Sequence, residues 1–99
     1  MNEIINISEN VYSSLADMLA FNIRGKRYHT DKIMVYDGGV EFTLLLAVII
    51  DYETSYDEEY YGKEVATNII PIWWEFHAIE GIEELDTDFS FDELKPYII

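Results

Sequence analysis

The sequence predicts a single small α+β domain over residues 1–99, built from a three-stranded antiparallel meander with two helices packed on one face. An apolar run at 40–53 alternates with the period of a β-strand. An Asp-Gly turn precedes this run, and apolar residues recur at helical spacing in 8–22. The length of 99 residues fits one domain, and no repeat or linker divides the chain.

The first helix is predicted over 8–22, with Ser8 as its N-cap and Ile7 packing back onto the first turns. One face of this helix is polar and the other carries an apolar stripe with Tyr12 beside it. The predicted stripe consists of Val11, Leu15, Met18 and Leu19, and the predicted polar face of Asn10, Ser13, Ser14 and Asp17.

Two strands follow, predicted at 28–36 and 40–54, and Asp37-Gly38 between them is a strong signal for an antiparallel hairpin. In the second strand the even positions from Phe42 to Tyr52 are all apolar. The odd positions are polar at both ends and apolar in the middle, so this strand is expected at the centre of the sheet.

A third strand is predicted at 64–79, and Pro71 requires either a sheet edge or a bulge because proline cannot donate to the ladder. Residues 80–88 are expected to form an acidic connection. The spacing of Ser90 and Glu93 predicts a short helix at 90–95, which Pro96 should stop.

One long helix covers one side of three strands, so the second sheet face is predicted to remain apolar and uncovered. Either the chain ends at 4–7 and 97–99 wrap over this face, or a second copy of the chain does. The end segments are short, so we favour a homodimer. The residues expected on this face are Leu45, Ala47, Ile49, Ile69, Trp73 and Ile79.

The charge is strongly negative and unevenly distributed. The chain has 20 Asp and Glu against 6 Lys and Arg, a net charge of −14, and residues 51–99 hold fourteen of these acids against two bases. Such a surface repels nucleic acid and anionic membrane and attracts a basic protein. The absence of cysteine excludes disulfides and zinc–thiolate sites, and an acidic N-terminal stretch in place of a signal sequence leads us to expect a cytoplasmic protein.

Aromatic residues interleaved with acids are typical of protein-binding surfaces. The alternative is that the tyrosines only shield one end of the sheet and that one Trp faces the core, since Trp73 and Trp74 must point to opposite faces unless a bulge intervenes. The predicted partner-binding residues are Trp73, Tyr56, Tyr60, Tyr61, Asp57, Glu58 and Glu59.

The two histidines each have a carboxylate two positions away, at Asp31 and Glu75. If Asp37 or Gly38 centres the first turn, His29 lies opposite 46–48. If Thr54 pairs with Glu64, His77 lies opposite Glu41, so the histidines are on the order of 20 Å apart. No metal site or cofactor is therefore predicted, and the acidic runs do not fit an EF-hand loop. The same register predicts an electrostatic cluster of Glu41, Glu75 and His77 that raises the pKa of His77.

No catalytic motif is recognisable, and an enzyme is not expected. Two hypotheses of different class follow. The first is a small acidic interaction module, homodimeric through the second sheet face. The second is a nucleic-acid mimic that inhibits a basic DNA- or RNA-binding protein, since strand carboxylates at i, i+2, such as Asp51 and Glu53, lie about 6.7 Å apart.

Overall fold

The computed structural model describes residues 4–55 and 63–99, with only the backbone described for Ser55 and Lys63. The described chain is α+β, with two helices and a five-stranded mixed sheet in the order β1-β5-β4-β3-β2. Its elements are β1 (Ile4–Ile5), α1 (Glu9–Asn22), β2 (Tyr28–Asp37), β3 (Val40–Ser55), β4 (Lys63–Glu80), β5 (Glu83–Thr87) and α2 (Phe91–Ile98).

The predicted hairpin between the first two long strands is confirmed. β2 pairs with β3 without interruption, from Asp37 opposite Val40 to Tyr28 opposite Ile49. The turn has positive φ angles of 59° at Gly38 and 81° at Gly39. Residues that have a side chain rarely adopt this backbone conformation, which explains why two glycines close the hairpin.

β4 carries the bulge that Pro71 predicts. Trp73 lies opposite Ala47, but Pro71 lies opposite Val48, so Ile72 is an extra residue in the ladder. A second register shift falls between Asp51 and Tyr52 of β3. Because an extra residue reverses which side chains face each way, strict alternation fails on the N-terminal side of Pro71.

Ile69 and Ile70 show the consequence of this bulge. The sequence prediction placed Ile69 on the uncovered face, but Ile69 lies opposite Ile50 and is fully buried under the helices. Ile70 lies opposite Ile49 and faces the other way, with 40% of its surface exposed. The prediction for Ile69 was therefore wrong, because it counted through the bulge.

The stretch predicted as a connection at 80–88 contains a strand. β5 folds back on β4, with Glu80 opposite Glu83, and β1 joins β5 in parallel, with Ile4 opposite Asp86. The sequence signal is weak because Glu-Glu-Leu-Asp-Thr has one apolar residue and lies at the sheet margin.

The helices pack on one face of the sheet, which we call the covered face. The N-cap is confirmed, with the Ser8 hydroxyl accepting from the Val11 N–H at 3.3 Å. Met18 was predicted in the buried stripe but is 42% exposed, and Ala16 is buried instead. The buried core consists of Val11, Tyr12, Leu15, Ala16, Leu19, Ile23, Ile33, Val40, Phe42, Leu44, Leu46, Val48, Ile50, Ile69, Ala78, Phe89, Phe91 and Leu94.

The second helix is longer than predicted, since α2 continues through Pro96 to Ile98. Proline removes one helical hydrogen bond, which normally ends a short helix. Packing on α1 compensates here: Tyr97 stacks on Tyr12 with ring centroids 5.8 Å apart, and Ile98 packs against the core. Ser90 is the N-cap, but its side chain makes no capping hydrogen bond, so the predicted capping box is not formed.

Candidate interaction surface

The sheet face opposite the helices is called the open face. Cross-strand pairing arranges its side chains in rows across β2, β3 and β4. From one end to the other, the rows are Tyr28–Ile49–Ile70, Thr30–Ala47–Trp73, Lys32–Leu45–Glu75, Met34–Thr43–His77 and Tyr36–Glu41–Ile79.

The first two rows form an apolar patch. Ile49, Ile70 and Trp73 expose 40%, 40% and 48% of their surfaces, and Tyr28 exposes 59%. Large aromatic and aliphatic side chains on neighbouring strands make a continuous apolar area, which soluble monomers seldom leave in water.

The chain ends do not cover this patch within residues 4–55 and 63–99. Ile4 and Ile5 form the edge strand β1 beside β5, on the far side of the sheet from β2. Tyr97 stacks on the helix residue Tyr12, at the covered face. The first of the two predicted ways to cover the second sheet face is therefore wrong for the described chain, because both ends are used elsewhere.

The middle of the open face contains a shallow depression of about 550 Å³, lined by Thr30, Lys32, Leu45, Ala47 and Trp73 among others. It exists because Thr30 and Ala47 are small, whereas Trp73 in the same row is large. The open face thus presents a bulky indole beside a hollow.

The two tryptophans point to opposite faces, as predicted. Trp74 packs edge-on against Phe89 at 5.2 Å on the covered face, whereas Trp73 lines the depression on the open face. Of the predicted partner-binding residues, only Trp73 lies in the described chain. The other six, Tyr56, Asp57, Glu58, Glu59, Tyr60 and Tyr61, lie outside the described residues.

His77 lies at the polar end of the open face between two carboxylates. Its Nδ1 is 2.7 Å from Oε1 of Glu84, and its Nε2 is 3.3 Å from Oε2 of Glu75. The hydrogen bond to Glu84 and then that to Glu75 raise the pKa of His77, outweighing a small opposing effect of burial. Sequence reasoning missed Glu84 because it did not identify β5.

Glu41 does not join this cluster. The two register shifts in β4 place His77 opposite Thr43 and Glu41 opposite Ile79, two positions away from the predicted pairing. The Glu41 carboxylate instead accepts a hydrogen bond from the Tyr36 hydroxyl at 3.0 Å, which raises the pKa of Tyr36.

His29 lies opposite Val48, within the predicted range, and is buried on the covered face. Its Nε2 is 2.9 Å from Oδ2 of Asp31, and the Nζ of Lys26 lies 3.4 Å from its Nδ1. The amide of Asn22 donates to the same Asp31 oxygen at 2.7 Å. Both imidazole nitrogens therefore have protein partners, and the group ties the end of α1 to β2.

Burial alone would raise the pKa of Asp31, but the hydrogen bonds from His29, Asn22 and the backbone N–H of Lys32 together lower it. This favours the ionised carboxylate. We call this hydrogen-bonded group, which links the end of α1 to β2, the polar clamp.

The described residues include no group of three or more His, Asp or Glu side chains placed to hold a metal ion. Within the same residues, neither helix has the length and apolar character needed to cross a membrane. Comparison with family models, with curated proteins and with solved structures gives no match to this chain.

Proposed function

We propose that the chain is a small, acidic, non-enzymatic protein-interaction module that forms a homodimer through the open face of its sheet. The observation that carries this proposal is the apolar patch of Tyr28, Ile49, Ile70 and Trp73, which the helices and chain ends leave exposed within the described residues. Pairing the patch with a second copy removes apolar surface from water, at about 25 cal/mol per Å² before the costs of association.

The acidic half of the sequence supports a second role for the same module, binding of a basic protein. Residues 51–99 hold fourteen of the twenty acids, so a basic partner is attracted while nucleic acid and anionic membrane are repelled. We place this role in the cytoplasm, since a chain without cysteine gains nothing from an oxidising compartment.

Sedimentation equilibrium on the wild type and two matched variants tests the homodimer. Ile49→Arg places a cation in the middle of the apolar patch. Ile82→Arg makes the same substitution in the β4–β5 turn, where the side chain is fully exposed. The expected result is a dimeric wild type, a control with the same dissociation constant, and an Ile49→Arg variant whose dissociation constant rises at least tenfold.

Circular dichroism and thermal unfolding of each variant show whether it is folded, since Ile49 is 40% exposed and its substitution should leave the monomer intact. A wild type that remains monomeric at about 1 mM, or an equal loss of dimer in both variants, contradicts the proposal.

Nucleic-acid mimicry is a second candidate, favoured by one observation on the strands. Asp51 and Glu53 on β3 and Glu84 and Asp86 on β5 are exposed pairs at i, i+2. Such carboxylates lie about 6.7 Å apart, a spacing compatible with a row of phosphates. Binding to several basic nucleic-acid enzymes that weakens steeply with salt would favour mimicry, whereas one salt-tolerant protein partner would favour the module.

A further inference from the structure

The third row of the open face carries opposite charges at its two ends. Lys32 on β2 and Glu75 on β4 flank Leu45 on β3. Strands lie about 4.8 Å apart, so the Cα atoms of the two charged residues are about 10 Å apart. Among residues 4–55 and 63–99, no ion pair within 4.0 Å includes Lys32.

A two-fold axis parallel to β3 matches these charges across a dimer. This rotation keeps each row in place and exchanges the β2 and β4 sides, so Lys32 of each copy lies over the partner's Glu75. An axis that instead runs across the strands along this row superposes Lys32 on the partner's Lys32 and Glu75 on the partner's Glu75. Like charges facing each other in an interface are strongly unfavourable, so the charges of this row favour the axis along β3.

The same rotation matches the shape of the neighbouring row. Trp73 of each copy lies over Thr30 of the other, at the depression beside Ala47 that Thr30, Lys32 and Leu45 also line. A large aromatic side chain filling a pocket near the centre of an interface is the usual arrangement of a binding hot spot. Along the axis, Leu45, Ala47 and Ile49 meet their own copies at the centre, whereas Glu41 meets its own copy at one end of the footprint.

The footprint is small for a dimer. Ten residues of strand span about 33 Å and three strands about 14 Å, so the flat area is on the order of 460 Å² per copy. The pair therefore buries about 900 Å² of flat area, without the added surface of protruding side chains. This is near the lower bound of roughly 1,000 Å² for specific interfaces. At that size the two ion pairs and the two indoles carry a large share of the binding free energy.

We infer that a second copy of this chain binds the open face as an aligned sheet sandwich, with the two-fold axis along β3 and with Lys32 of each copy paired to the partner's Glu75. This inference rests on the proposed function, because it specifies the geometry of that homodimer. Aligned packing of two sheets, with their strand directions within about 30° of each other, is a common arrangement.

Charge reversal and exchange test the pairing. Lys32→Glu makes the net charge of each chain more negative by two, and Glu75→Lys makes it more positive by two. General repulsion between two acidic chains would weaken the first variant and strengthen the second. If Lys32 pairs with the partner's Glu75, both single variants dimerise more weakly than the wild type. The double variant Lys32→Glu/Glu75→Lys then restores the dimer.

Sedimentation equilibrium from about 1 µM to about 1 mM measures each dissociation constant. Each single variant is expected to raise it at least tenfold, and the double variant to return within about threefold of wild type. Lys95→Glu on α2 and Glu83→Lys on β5 make the same charge changes away from the row and serve as controls. Circular dichroism shows that each variant is folded.

The outcomes separate the two proposals. A wild type that stays monomeric overturns both. A dimeric wild type that loses affinity on Ile49→Arg, but in which Glu75→Lys does not weaken the dimer or the double variant does not restore it, overturns the pairing alone.

Discussion

His29 and Asp31 point to the same side of β2, and the imidazole Nε2 lies 2.9 Å from the Asp31 carboxylate at the covered face. Because the Asn22 amide also donates to this carboxylate, the last residue of α1 is fixed to the strand. These charge-assisted hydrogen bonds join partly buried groups. Their loss would leave the His29 and Asn22 donors without an acceptor.

Asp31→Asn should lower the free energy of unfolding by about 1–2 kcal/mol, because a neutral amide accepts these hydrogen bonds less well. The folded-state pKa of Asp31 lies below its ordinary value of 3.8. Its stabilising contribution is therefore present above pH 3.8 and is lost as the pH falls through the lower folded-state pKa. Urea denaturation across acidic pH checks this, with Asp17→Asn on the exposed face of α1 as the control. Equal effects of the two substitutions would contradict a role for the clamp.

The bulge in β4 makes the neighbouring residues Ile69 and Ile70 differ in burial. Ile69→Ala should cost about 2–4 kcal/mol of unfolding free energy, since Ile69 is fully buried. Ile70→Ala should cost less than about 1 kcal/mol, since its side chain is on the open face. Chemical denaturation at a low protein concentration, at which the chain is monomeric, measures both. The reverse order would mean that the register follows strict alternation and that Ile72 is not the extra residue.

His77 should titrate above its ordinary pKa of 6.5, and Glu84→Gln should move its pKa back toward that value by more than Glu75→Gln does. The order follows from the shorter hydrogen bond to Glu84. Because the folded-state pKa is raised, this contribution to stability is fully present below about pH 6.5 and disappears as the pH rises through the folded-state value. NMR titration of the imidazole provides the measurement. Glu41→Gln is the control. If it changes the pKa of His77 as much as Glu84→Gln does, Glu41 interacts with His77 after all.

The hydroxyl of Tyr52 lies 3.0 Å from the carbonyl oxygen of Ile23 and 2.7 Å from that of Lys26, where the chain leaves α1. Tyr52→Phe should lower the unfolding free energy by about 1 kcal/mol, because these carbonyls lose a donor. Tyr36→Phe removes an exposed hydroxyl whose acceptor is Glu41 and should change stability by less than about 0.5 kcal/mol. Thermal unfolding compares the two. A larger loss in Tyr36→Phe would show that the contact at the end of α1 contributes little.

The sequence alone determined much of the fold. Period-two alternation identified β3 and helical spacing identified α1, because each pattern reflects which residues contact the core. The Asp37-Gly38-Gly39 turn fixed the β2–β3 register, since its backbone requires residues that tolerate positive φ. Pro71 marked the bulge, because it lacks an N–H for the ladder.

Only the tertiary structure decided where the bulge places its neighbours and what completes the sheet. The extra residue at Ile72 moved Ile69 into the core, and the two register shifts together separated Glu41 from His77. A register change of this kind depends on pairing with another strand, so local composition does not encode it. β5 has one apolar residue and β1 is only two residues long, so neither has a clear strand pattern of its own. β5 forms because β4 offers an unpaired edge, and β1 then hydrogen-bonds to the outer edge of β5.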